Sequence, residues 1–218
     1  MDLSTKCGRG GCISSTYAGR GLDPWSIIAA AFCFLLPRRA ARACIRFVNT
    51  ELPQSIHSAP FSDREFRNAL GRFATGVAVV TAVAPDGSKV GLTISSFNSA
   101  SLAPPLVLWS LANTAASMPV LQTVRHYAVN VLAASQKELA LQFARKGVDR
   151  WAGVGYYPGV TGVPLLEGAI ASFECRNRSR YDEGDHVILV GEVEHCRYRT
   201  GMAPLLYHGG NFYTEQLI

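Results

Sequence analysis

The segment Thr93-Ile94-Ser95-Ser96-Phe97-Asn98-Ser99-Ala100-Ser101 concentrates hydroxyl and amide side chains beside apolar ones. If a strand ends near Ser95, these groups and the backbone amides freed there form a row of fixed dipoles. Such a row can hold carbonyls, sugar hydroxyls and phosphate, and it favours negative charge growing on a bound ring. The same composition also suits a solvated turn. No grouping for other chemistry competes with it, since GxSxG, HExxH and the Walker A pattern are all missing. The five histidines, at 57, 126, 186, 195 and 208, include no pair at helical spacing. Hydrolysis and metal-dependent reactions are therefore disfavoured, whereas a cofactor that performs the chemistry itself needs only to be bound, oriented and tuned.

Positioning this segment requires a domain, and the chain divides in two around residue 60. Residues 1–60 hold seven Lys/Arg against three Asp/Glu, while residues 61–218 hold fourteen against thirteen. The net charge of +5 is thus mostly N-terminal. The nearly neutral remainder lacks the basic face that phosphate-backbone binding needs, which argues against a nucleic-acid partner. The apolar run Ile27 to Leu36 is followed by Arg38, Arg39, Arg42 and Arg46. Ten residues are too few for a spanning helix, which needs ~20, so stable membrane insertion is not expected. Residues 1–60 read as a disordered extension, from a mis-assigned start or with an organelle-targeting role, attached to a cytoplasmic protein. There is no CxxC, so Cys175 and Cys196 read as buried thiols in a reducing compartment.

From residue 61 onward periodic apolar segments alternate with turns. Ser62 or Asp63 can cap a helix through Phe73, with Phe66, Leu70 and Phe73 on one face. Val77 to Val83 and Val90 to Ser95 read as strands joined at Pro85-Asp86-Gly87. Leu106 to Leu111 and Tyr127 to Leu132 are further strands. Ser135 to Glu138 has the pattern of a capping box opening a helix through Lys146, with Leu139 and Phe143 on its buried face. Gly168 to Arg180 and His186 to Arg199 form a long hairpin around Tyr181 to Asp185, and Leu205 to Tyr207 and Asn211 to Thr214 close the chain. Many strands with few helices imply a mainly β fold with helical additions, an antiparallel barrel and not a doubly wound parallel sheet.

Five blocks carry a resemblance: GRFATGVAVVTA (71–82), GLTISSFNSASLAPPLVLWSL (91–111), YAVNVLAASQKELALQFA (127–144), GDHVILVGEV (184–193) and PLLYHGGNFY (204–213). Together they resemble the flavin reductase family, the reductase components of two-component flavin-dependent monooxygenases, over roughly residues 61–215. The resemblance implies an antiparallel split β-barrel of the FMN-binding type. It implies NADH or NADPH as hydride donor, FMN or FAD as acceptor, a homodimer, and a monooxygenase that receives the reduced flavin. On matching positions it places Thr93, Ser95, Ser96, Asn98 and Ser99 along the flavin ring and ribityl chain, and Ser117 near the flavin phosphate. His186 falls on the nicotinamide side, with Tyr213 a further candidate there.

The residues themselves leave alternatives. Ser117, before Met118-Pro119, can cap the helix that continues through Val124, and His186 can pair with Asp182, Glu183 or Asp185 on the surface. Arg145, Lys146 and Arg150 can attract pyrophosphate or complement a helix C-terminus. Trp109 and Trp151 suit stacking or core packing. A non-catalytic flavin carrier or sensor, and an oxidase or oxygenase with bound flavin, remain the rival functions.

Overall fold

A computed structural model describes residues 61–216; the expectations for residues 1–60 lie outside them. Strands dominate, and the largest sheet is antiparallel throughout, with seven members. These are β2 (Ala78–Val83), β3 (Lys89–Ile94), β4 (Asn98–Leu102), β5 (Pro105–Ala112), β6 (His126–Val131), β9 (Ala171–Glu183) and β10 (His186–Tyr198), ordered β3-β2-β6-β9-β10-β5-β4. A three-stranded sheet joins β1 (Thr75–Gly76), β11 (Leu206–His208) and β12 (Asn211–Tyr213), and β7 (Tyr156–Pro158) pairs with β8 (Pro164–Leu166).

The two edges of the large sheet, β3 and β4, are consecutive in sequence, with only residues 95–97 between them. So short a connection forces the sheet to curl until its edges approach. The edges exchange no ladder hydrogen bonds, and the barrel is split and not closed. Ser96 lies at this seam, donating through Oγ to Ser110 O (3.2 Å) and accepting from Ser110 N (3.0 Å).

The interior of the curled sheet holds Val80, Trp109, Leu111, Tyr127, Val129, Val187 and Leu189, all buried. β2 is buried on both faces, because its other side packs under Phe143, Leu132, Leu166 and Leu205. This explains a valine run without alternation. Pro85-Asp86-Gly87 makes the β2–β3 turn as expected, with Gly87 at φ 84° and Asp86 Oδ1 accepting from Ser88 N (2.9 Å).

Two buried polar side chains, Asn130 and Glu174, are fully partnered, whereas Trp109 Nε1, Tyr127 Oη and Trp151 Nε1 are buried without a hydrogen-bond partner. Asn130 donates to Val79 O (3.2 Å) and Thr81 Oγ1 (3.0 Å) and accepts from Leu166 N (3.0 Å) and Ser172 Oγ (3.2 Å). Glu174, 1% exposed, accepts from Thr161 N (2.8 Å), Thr161 Oγ1 (2.7 Å) and Val160 N (3.2 Å). Burial works to raise its carboxyl pKa, but these donors and the charge of His195 outweigh burial and hold it below the ordinary glutamate value.

Several expectations need correction. Helix α1 (Asp63–Leu70) is capped by Ser62 but stops at Gly71, so Phe73 lies beyond it. Its Phe66 and Leu70 do not meet the core and stay exposed. The Ser135 to Glu138 capping box does not form: residues 134–136 make a 3-10 turn, and Gln136 Oε1 accepts from Ala133 N (3.0 Å) instead. The helix that follows, Lys137–Ala144, ends two residues before Lys146. The long hairpin is tighter than its polar composition suggests, with pairing out to Glu183 and His186 and a turn at Gly184 (φ 61°) and Asp185. Cys175 is buried, and burial first, then nearby carboxylates, push its thiol up to about 12. Cys196 is exposed, because it lies on the outer arm of β10, past the part that covers the core. No described helix is long and apolar enough to cross a membrane.

Candidate functional site

Strand β3 ends at Ile94, and as an edge strand it has no neighbour on its outer side. Two short helices flank that side: α2 (Met118–Leu121), begun by Ser117, and α3 (Lys137–Ala144). α3 is fastened to β3 by Thr93 Oγ1, which donates to Ala140 O (2.7 Å), and by Phe143, which packs where Gly91 has no side chain. A Cβ at Gly91 would overlap the Phe143 ring. The polypeptide after α3 then folds back along β3. Arg150 donates through Nε to Arg145 O (2.8 Å) and through Nη1 to Gly91 O (2.9 Å), and Gln142 Nε2 donates to Arg150 O (3.1 Å) and Ala152 O (2.9 Å).

These elements enclose three cavities in a row. The first, of 330 Å³, has apolar walls from Val77, Ile94, Leu141 and Phe212, with Ser95 and Tyr207 on it. It shares Thr93 and Ala144 with the second, of 470 Å³, where Thr114, Ser117, Lys146 and Arg150 add polar groups. That one shares Ser117, Val148 and Arg150 with a third, of 270 Å³, bounded by Lys89 and Trp151. The character of the groove therefore runs from apolar and aromatic, through hydroxyl and cation, to cation and indole.

Of the residues singled out from sequence, the groove brings together Thr93, Ser95 and Ser117. Thr93 contributes its backbone and methyl group, since its hydroxyl is engaged with α3. Ser117 is 6% exposed and makes no capping hydrogen bond, so its hydroxyl is free of the helix role sequence allowed it. Ser96 is committed to Ser110 of β5, in continuation of the β4–β5 register. Asn98 and Ser99 lie on exposed β4, where Asn98 Oδ1 accepts from Ser99 N (2.9 Å). That segment is a strand and not a turn, paired Asn98 with Leu108 and Ser99 with Val107.

His186 does not line the groove. It opens β10 opposite Ala112, and its Nδ1 lies 2.7 Å from Asp185 Oδ1. Hydrogen bonding and charge from His186 hold the Asp185 carboxyl below its ordinary value. An ionised carboxylate can only accept, so His186 Nδ1 is the donor in this contact. The turn before it is tied to the rim of the groove by Asn113 N, which donates to Asp185 O (2.9 Å). Tyr213 is exposed on β12; its neighbour Phe212 reaches the first cavity, as the two-residue alternation of a strand requires.

Sequence reading missed Phe212, Tyr207, Lys89 and Val148 as groove residues, and left Lys146 and Arg150 open between attracting pyrophosphate and complementing a helix C-terminus. Gly209-Gly210 and Gly147 mark the turns that carry four of them, but nothing local says which cavity they face.

Residues 70–216 match the family described as flavin reductase like domain. The chain is 45% identical over 151 residues to an NADH-dependent FMN reductase, SmoA, of Agrobacterium fabrum, covering 69% of this chain and 85% of that one. It is 40% identical over 151 residues to the reductase component of a flavin-dependent trigonelline monooxygenase of Acinetobacter baylyi, covering 69% of this chain but spanning only 48% of that relative. The NADH:FAD oxidoreductase SgcE6 of Streptomyces globisporus, solved with NAD and FAD fragments, superimposes with a TM-score of 0.66 at 36% identity, over 71% of this chain and 96% of that one. Curled sheet, groove and sequence agree: the chain belongs to the flavin reductase family.

Proposed function

We propose that this protein transfers hydride from NADH or NADPH to FMN or FAD and that the groove along β3 holds the flavin. The observation that carries this reading is the groove itself, an apolar wall followed by Ser95, Thr114, Ser117 and Lys146, whose side chains make no hydrogen bond to other described residues. That donor set fits a flavin. Val77, Ile94 and Phe212 suit a flat ring, Ser95 and the amides after β3 suit its polar edge, and Ser117 with Lys146 suits a phosphate.

When bound, the flavin supplies the electron-accepting ring. The protein's share is to fix the two reactants against each other and to keep water from one side, which is where most of the acceleration of such a transfer arises. No side chain has to move a proton for hydride to pass, which accords with a groove that contains no histidine or carboxylate other than Asp149. Asp149 is occupied in accepting from Trp151 N (2.9 Å). His186, oriented by Asp185 and joined to the rim through Asn113, acts on the nicotinamide side as a positioning residue.

Reduced flavin is delivered to a separate monooxygenase, and the protein works as a homodimer. The dimer is supported by α1 and the residues after it, where Phe66, Leu70 and Phe73 are 50%, 57% and 75% exposed. An amphipathic helix left uncovered on its apolar side gains stability when a second copy covers it. A cytoplasmic location accords with the free Cys175 and Cys196. Residues 61–218 form the catalytic domain in this reading.

The test is to follow NADH and NADPH consumption with each flavin, using the full chain. Flavin-dependent oxidation without any organic substrate supports the reading. No oxidation with any of the four combinations favours a carrier or sensor, and a dependence on an organic substrate favours an oxidase or oxygenase.

A further inference from the structure

We propose that a second groove, at the opposite end of α2 from Ser117, binds small organic anions in which a carboxylate or phosphate is joined to a compact apolar body. It shares no lining residue with the three cavities along β3 and does not depend on what they hold. One part, of 370 Å³, is bounded by Gln122, Arg125, Asn177, Arg178 and Arg180. The other, of 360 Å³, is bounded by Val83, Pro85, His126 and Val163. Thr123, Val124 and Arg125 border both, so one ligand can reach from the first into the second.

The chain's own hydrogen bonds set the frame. Asn177 Nδ2 donates to Leu121 O (3.0 Å) and Val124 O (3.3 Å), and Arg180 Nη1 donates to Gln122 O. These donors satisfy the carbonyls at the end of α2, which would otherwise oppose an anion. Strand β9 bulges here: Ser179 pairs with Val190 and Asn177 with Gly191, so Arg178 has no partner opposite it and its side chain is re-aimed.

Three guanidiniums thus border one cavity, and no described carboxylate lines it. Arg178 Nη1 lies 3.4 Å from Glu192 Oε2, but Arg176 Nη2 holds that oxygen more closely, at 2.5 Å. Glu194 is likewise taken, by His126 Nε2 (3.1 Å) and Arg176 Nε (3.4 Å). Arg125 is exposed, and its side chain has no partner among the described residues. Like charges gathered in this way repel, and an anion between them relieves the repulsion. Guanidinium suits the task because its parallel N–H groups match carboxylate and phosphate oxygens. A bare ion would leave Val83, Pro85 and Val163 to water, whereas an apolar body beside the charge covers them.

Calorimetric titration of the full-length protein tests both halves of the site. Phenyl phosphate should bind about tenfold more tightly than inorganic phosphate, and benzoate about tenfold more tightly than acetate or neutral benzamide. Arg125→Gln, an exposed change that breaks no contact among the described residues, should weaken both aromatic anions about tenfold and leave FMN and FAD affinities unchanged. Saturating FMN should not displace either probe. No binding of the aromatic anions overturns the proposal, and so does equal affinity for phosphate and phenyl phosphate, because the apolar half then takes no part. Displacement by FMN places the probes in the groove along β3 and overturns it as well. An Arg125→Gln protein that binds both probes undiminished does the same. Arg125-dependent binding in a protein that takes up neither flavin upholds this site while rejecting the flavin reading of the other.

Discussion

Two polar regions lie within a few strands of each other and differ in whether the protein completes them. Around Asn130 each side-chain amide atom has protein partners drawn from β2, β8 and β9, and Thr81 Oγ1 donates onward to Pro164 O (2.6 Å). Along β3, Ser95 lines the first cavity of the groove and Ser117 and Lys146 the second, and none of the three makes a side-chain hydrogen bond to other described residues. A buried polar group without a partner costs roughly 1–3 kcal/mol, so the first region holds the fold together only because it is complete. The second is tolerable because it opens to water, and it is useful because a ligand can take water's place. The difference teaches where to look for function in a protein without a catalytic grouping: among donors the fold leaves unused.

This contrast can be broken from either side. The largest effect is expected for Asn130→Ala, which strands Leu166 N and Ser172 Oγ in the interior. It should lower unfolding stability by about 3–4 kcal/mol in urea titrations. An effect below about 1 kcal/mol would show that the node is not structural. Next, Gly91→Ala forces Phe143 and α3 away from β3, costing about 1–3 kcal/mol and weakening flavin binding, because α3 is a wall of the groove. Stability lost with flavin affinity retained would detach α3 from the site.

Ser117→Ala should do the reverse of Asn130→Ala. It should weaken flavin binding about tenfold, equivalent to ~1.4 kcal/mol, while leaving the urea midpoint nearly unchanged. A destabilised protein with full flavin affinity would return Ser117 to the role of a helix cap. The effect of pH belongs to the completed region. The folded-state pKa of Glu174 lies below its ordinary 4.5, so its contribution is present above that value and fades as pH falls through the folded pKa. Stability followed from neutral pH downward should drop in that window, and Glu174→Gln should flatten the drop. The smallest change is expected for His186→Ala, a few-fold slower nicotinamide-dependent reduction with flavin affinity intact, measured by rapid mixing. Equal loss for both would move His186 into the flavin site.

Much of the fold is legible from local pattern. Val77 to Val83, Leu106 to Leu111 and Tyr127 to Leu132 announce strands because a stiff, branched apolar run has few other places to go. Pro85-Asp86-Gly87 announces its turn because proline and glycine each satisfy one backbone angle it needs. Strand β4 was not legible, since Asn98 to Ser101 is poor in strand-forming residues and becomes a strand by pairing with β5. The Ser135 cap failed for a similar reason: Gln136 reaches Ala133 N and also Glu167 O (2.7 Å), a contact 31 residues away that no local motif foresees.

The sequence by itself determined the mainly β character, the neutral body, the lack of an acid–base grouping, and, through five blocks in order, the family. Only the tertiary structure decided which hydroxyls are free. Thr93, Ser95, Ser96 and Ser117 are alike as residue types, yet Thr93 is claimed by Ala140, Ser96 by Ser110, and Ser95 and Ser117 by nothing described. That distinction depends on partners 14 and 47 residues away. A short-range pattern carries the tendency to form a strand, but whether a donor at its end is already satisfied is settled only when β5 and α3, distant in sequence, pack against it.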